Sequence, residues 1–163
     1  MNPLNVCVAR DLPQQAEEAR WLVEELWGAE AVGIVGGEPK CCKSFLALDM
    51  AVSVASGAPC LGRFRVAQTG RVLLFAAEDS THIVRERLEA IALRRGVNFS
   101  SLDIHVITTP VVRLDREPDR HALQETVNRL RPRLLVLDPF VRLHRIDENA
   151  AAEAETARRE ADK

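Results

Sequence analysis

Apolar residues fall along this chain in short unbroken runs that alternate with longer stretches of helical period. Gln14 to Trp27 sets Trp21, Leu22, Leu26 and Trp27 among glutamates, which predicts an amphipathic helix ended by Gly28. AVGIV, residues 31–35, is a short apolar run that enters glycines directly, the pattern of a buried strand feeding a loop. Lys43 to Ser56 is almost wholly apolar and stops at Gly57, as a helix covered by a sheet would. Pro59, Gly62 and Gly70 mark 58–70 as a connection or loose hairpin. Arg71 to Ala77 reads as a strand, and Ser80 as the cap of a helix from Thr81 to Arg95 that Gly96 stops. A weaker strand follows over Ile104–Thr108. Pro118 then opens a helix that runs up to Pro132, and Arg133–Asp138 is a buried strand ending on a carboxylate.

This alternation predicts an α/β fold with a mainly parallel sheet, helices on its faces and ligands outside the carboxyl ends of its strands. The expected organisation is an N-terminal segment with its amphipathic helix over 1–28, a core over 29–150 and an Ala/Glu/Arg-rich tail over 151–163. At 163 residues, 47% hydrophobic and 28% charged, the chain is expected to build one globular core. A net charge of −2 excludes a global attraction to nucleic acid or acidic membranes. No apolar run is long enough to span a bilayer, and residues 1–18 lack the features of a signal peptide, so the expectation is a cytoplasmic protein without a membrane partner. The four cysteines show no metal-ligand spacing, and a reducing cytosol argues against a disulfide between adjacent Cys41 and Cys42.

Three polar features sit at predicted strand ends. The first is GGEPKCCKS, Gly36–Ser44, which fits the phosphate-loop pattern G-x-x-x-x-G-K-[ST] from Gly37 except that Cys42 replaces the second glycine. In such a loop, over Gly37, Glu38, Pro39, Lys40, Cys41, Cys42, Lys43, Ser44 and Phe45, backbone N–H groups and a helix N-terminus surround phosphates. Lys43 would reach the β and γ oxygens, and Ser44 would ligate Mg2+. The second feature is Asp138, placed to hold that ion through water. The third is Glu78, just beyond RVLLFAA, placed to deprotonate an attacking water; its alternative role is to favour the N-terminus of the following helix, with Asp79 and Ser80.

These segments, GIVGGEPKCCKSFLALDMAVSVASG, LLFAAEDS and LLVLDPFVRLHRIDEN, resemble the RecA-like P-loop ATPases of the RepA hexameric replicative helicase type, often called AAA-family ATPases. The likeness runs from about Trp21 to Ala151. It implies a three-layer RecA-type fold with Mg-ATP on Lys43 and Ser44, Glu78 as catalytic base and Asp138 assisting the metal. It further implies homo-oligomeric rings, action on DNA and a place in DNA replication. The chain departs from the family at Cys42, since a side chain in a left-handed conformation costs roughly 1–2 kcal/mol. It also departs after Asp138, where the family carries a further strand with a polar sensor and then an arginine finger. His144 and Arg145 lie too near Asp138 to replace these, and VRLHR reads as a solvated turn before a cap at Asp147 or as a DNA contact. The resemblance therefore implies a core truncated at its C-terminus, with an empty lane between AVGIV and LLVLD and a chain of low stability. Besides an ATPase module, the alternatives are a non-catalytic nucleotide-binding partner of a full-length ATPase ring and a fragment without function.

Overall fold

The computed structural model describes residues 6–12 and 20–143, with Val141 described by its backbone alone. Its centre is a three-stranded parallel sheet in the order β4-β3-β5, made of β3 (Val72–Ala76), β4 (Ile104–Val106) and β5 (Leu134–Asp138). Val72 aligns with Ile104 on one side and Leu134 on the other, and Ala76 with Asp138. The crossovers are helical, with α2 (Thr81–Arg94) between β3 and β4 and α3 (Glu117–Leu130) between β4 and β5. Strand β3 reads VLLFA and is buried over its first four residues, as a central strand covered on both faces must be.

Alternate residues of β3 serve different cores. Val72 packs with Met50, Ala51 and Val54 of α1 (Lys43–Ser56), and Leu74 with Leu48 and Val52 of α1 and Val84, Leu88 and Ala92 of α2. Phe75 points to the opposite face, closed by Val112 and Leu143. That face is covered more thinly than a full helical layer would cover it, because α3 contains no buried residue. What holds among the described residues is an α/β arrangement of a parallel sheet and three helices, compatible with a P-loop-like fold.

Two predicted elements differ. The helix expected over Gln14–Trp27 lies outside the described residues for 14–19, and the rest is a small antiparallel pair, β1 (Trp21–Val23) with β2 (Trp27–Gly28). Glu25 takes a left-handed φ of 58° between them, and Val23 also bridges Val66. Leu22 and Val23 are thereby buried against α1, a long-range contact that overrides the helical period of the sequence. The second correction concerns AVGIV, which forms no strand among the described residues. Val32 is fully exposed and Ile34 74% exposed. An apolar run becomes a strand only where another backbone completes its ladder. The segment is instead seated by Trp27, whose indole would lie 2.7 Å from a Cβ placed on Gly33.

Helix α1 ends as predicted at Gly57, with φ 84° and its N–H donated to the Ser53 carbonyl. Ser80 does occupy the N-cap of α2, yet no side-chain capping bond forms; its hydroxyl lies 3.4 Å from His82 Nε2. The strand predicted over Ile104–Thr108 stops at Val106. In 58–70, the bridge between Cys60 and Phe64 makes the expected loose hairpin. The cap at Asp147 and the tail over 151–163 lie outside the described residues.

The second turn of α1, the fold's most apolar helix, carries a buried carboxylate. Asp49 Oδ1 accepts from Arg95 Nε at 2.9 Å and Nη2 at 2.6 Å, and Oδ2 accepts from the Leu61 N–H. One carboxylate thus ties α1 to the end of α2 and to the 58–70 hairpin. Cys60 beside it is buried, and burial followed by the Asp49 charge pushes its thiol up to about 12. Replacing Asp49 by Ala strands the Arg95 guanidinium, and we expect a loss of about 3 kcal/mol of unfolding free energy. Chemical denaturation checks this; a loss below about 1 kcal/mol would mean that the pair is structurally idle.

Candidate functional site

The loop between residue 35 and α1 is built on two left-handed residues that are not glycine. Lys40 has φ 66° and Cys42 has φ 65°, the latter at the N-cap of α1. Between them Cys41 N–H donates to the Glu38 carbonyl at 3.3 Å. Such a reversal returns the chain on itself and leaves α1 starting with Lys43 and Ser44, whose N–H groups belong to the unpaired first turn. The dipole of the 14-residue α1 adds a partial positive charge at this end.

Lys43 turns back over the loop. Its Nζ donates to the carbonyls of Gly37 at 2.9 Å and Glu38 at 2.7 Å, and to Cys41 Sγ at 3.7 Å. These bonds are exposed, each worth on the order of 1–2 kcal/mol, so a phosphate, whose charge makes stronger bonds to an ammonium, can displace the carbonyls. A cleft of about 460 Å3 opens here, lined by Gly36, Cys41, Cys42, Lys43, Phe45 and Asp49 among others. A second of about 500 Å3 shares Phe45 and Asp49 and is lined further by Arg87, Arg94 and Arg95.

Glu78 and Asp138 come together at adjoining strand ends. Ala77 N–H donates to the Asp138 carbonyl at 2.8 Å, which places Glu78 one residue beyond that bond. Glu78 is exposed, and Arg142 Nε stands 3.9 Å from its Oε1, a long pair of exposed groups worth under about 1 kcal/mol. Of VRLHR, residues 141–143 are described, with Leu143 buried against Phe75 and Arg142 exposed; His144 and Arg145 lie outside the described residues. Neither Glu78 nor Asp138 lines the two clefts.

The strand ends are joined to the loop helix by a side-chain relay. Asp79, next to Glu78, accepts from Arg87 of α2, whose guanidinium lies over the Phe45 ring at 5.2 Å. Phe45 and Ser44 are adjacent in the first turn of α1, so the Asp79–Arg87–Phe45 chain fixes this turn relative to β3. Arg87, Arg95 and Asp49 were not identified from the sequence. Asp49 left a signal, being the one charge within FLALDMAVSVAS; the arginines left none, since Arg95 pairs with Asp49 and Arg87 lies over Phe45, both far off in sequence.

Among the described residues no group of three or more His, Cys, Asp or Glu side chains could hold a metal. No helix there is long and apolar enough to cross a membrane. A family profile described as AAA domain matches residues 2–162. No curated protein and no solved structure matches the chain.

The left-handed N-cap carries a testable cost. Cys42→Gly removes the clash between Cβ and carbonyl oxygen and is expected to raise the unfolding free energy by roughly 1 kcal/mol. Thermal and denaturant unfolding give the value; an unchanged or lower stability would show that the loop has adapted to the side chain.

Proposed function

The chain belongs to the AAA domain family, and on that premise we propose that it binds Mg-ATP in the loop Gly37–Phe45 and hydrolyses it. The observation that carries the reading is Lys43 turned into a loop that opens α1, with two carboxylates at the neighbouring strand ends. In the proposed complex the N–H groups of the loop and first turn of α1 receive the phosphates, and Lys43 exchanges its carbonyl partners for phosphate oxygens.

Mg2+ suits the residues present, because the Ser44 hydroxyl and Asp138 carboxylate are hard oxygen donors. Ser44 and Asp138 are the residues that would hold it, beside the nucleotide's phosphates. When bound, it neutralises charge on the phosphates. Glu78, exposed just beyond the end of β3, is proposed to orient a water and accept its proton as the water oxygen bonds to the γ-phosphorus. The bond from that phosphorus to the bridging oxygen breaks, and ADP leaves.

The finer reading is a RecA-like motor module related to the replicative helicases of plasmids or phages, working as a homo-oligomeric ring on DNA. It rests on the combined spacing of the loop, Glu78 and Asp138. Arg142, exposed beside Glu78, is the described cation of the basic segment that such a module would turn toward DNA or a neighbouring subunit.

Two substitutions separate binding from chemistry. Lys43→Ala should abolish Mg-ATP binding by calorimetry while the far-ultraviolet circular dichroism is retained, since its bonds stay within the exposed loop. Glu78→Gln should keep the affinity and lower turnover by at least about 100-fold. Undiminished affinity in the first variant refutes the site, and parental turnover in the second returns Glu78 to a helix-capping role. ATP binding by the parent without any turnover would favour the non-catalytic interaction partner.

A further inference from the structure

Cys41 and Cys42 are both exposed and stand side by side in the loop assigned above to phosphates, a reading on which this inference rests. The Cys41 side chain folds over the loop, so that a Cβ placed on Gly37 would lie 2.7 Å from its sulfur. Lys43 Nζ reaches the same sulfur at 3.7 Å, and both residues line the cleft of about 460 Å3. Sulfur, ammonium and cleft mouth thus form one locus. An exposed sulfur at a cleft mouth is open to exchange with a small disulfide. The remaining cysteines lack that setting. Cys60 is buried, and its thiol is held protonated by burial and Asp49; Cys7 is exposed but outside the loop.

We propose that Cys41 is a thiol-modification site that closes the phosphate loop, its reaction partner being a small disulfide of the glutathione class. The Cys41 thiolate attacks one sulfur of that disulfide. The reagent's S–S bond breaks, a new S–S bond joins Cys41 to one half, and the other half leaves as a thiolate that takes a proton from water. The Cys41 sulfur is oxidised and the leaving sulfur reduced, so no other oxidant enters. The added group occupies the cleft mouth beside Lys43 and blocks the approach of phosphates, and excess small thiol reverses the exchange. Resolution by Cys42 is unfavourable, because adjacent Cα atoms are about 3.8 Å apart, below the 4.4–6.8 Å or so of ordinary disulfides.

The test treats the 163-residue chain with oxidised glutathione and maps each cysteine by mass spectrometry. Calorimetry then compares Mg-ATP affinity before and after treatment in the parent, Cys41→Ser and Cys42→Ser, each protein serving as its own reference. The adduct should form faster at Cys41 than at Cys7, and more slowly at Cys41 in Lys43→Gln. Treated parent and Cys42→Ser should lose about tenfold or more in affinity, restored by dithiothreitol, while Cys41→Ser should show a ratio near one. An adduct favouring Cys7 or Cys42, or an equal loss in Cys41→Ser, overturns the proposal. Mapping needs no nucleotide, so the two readings fail separately: an untreated parent without ATP affinity refutes the nucleotide site, and an unreactive Cys41 refutes this one.

Discussion

A carboxylate inside an apolar helix cannot be left without partners, and the arrangement of this chain follows from how Asp49 finds them. Burial of an ionised group costs several kcal/mol unless hydrogen bonds and an opposite charge compensate. Arg95 supplies the charge from the end of α2, and Leu61 supplies a backbone N–H from the hairpin after α1. Helix α1, the hairpin that follows it and the end of α2 are thereby held in one geometry. Helix α1 is the element whose N-terminus carries Lys43 and Ser44, so the same constraint orients the loop against the sheet.

The loop itself shows a second balance. Cys42 and Lys40 hold left-handed conformations that glycine would adopt without strain, and the cost is met because the turn delivers Lys43 to the helix start. The relay from Asp79 through Arg87 to Phe45 then relates this turn to the strand ends where Glu78 and Asp138 stand. Chemistry of the kind proposed needs these parts on rigid elements; β3 and α1 are the most deeply buried strand and helix described.

Much of this was legible in the sequence because its causes are local. Gly57 ends α1 where expected, since a left-handed C-cap needs no distant partner. VLLFA and LLVLD pair as strands as expected, but only VLLFA is buried along most of its length; in LLVLD only Leu134 is buried and Leu135 is exposed, because β5 edges the sheet and α3, which precedes it, buries no residue. The failures share one cause. Trp21–Trp27 has a helical period but forms a hairpin pair, because Val23 meets Val66 far along the chain. AVGIV has a strand's composition, yet a ladder is a property of two segments, and Trp27 against Gly33 is the contact it makes instead. At the site, the loop, Lys43, Glu78 and Asp138 were visible from spacing. Arg87 and Arg95 were not, because their roles come from tertiary pairing with Asp79 and Asp49.

The account stands most directly on where a nucleotide touches the chain. Backbone amide spectra of the 15N-labelled protein titrated with Mg-ATP would report this residue by residue. The account predicts saturable shifts concentrated in Gly37–Phe45, with smaller ones at Ala77–Asp79 and Asp138, since loop and strand ends are linked through Phe45, Arg87 and Asp79. Shifts confined to the arginine-lined cleft of Arg87, Arg94 and Arg95, or an unchanged loop at saturating nucleotide, would contradict it.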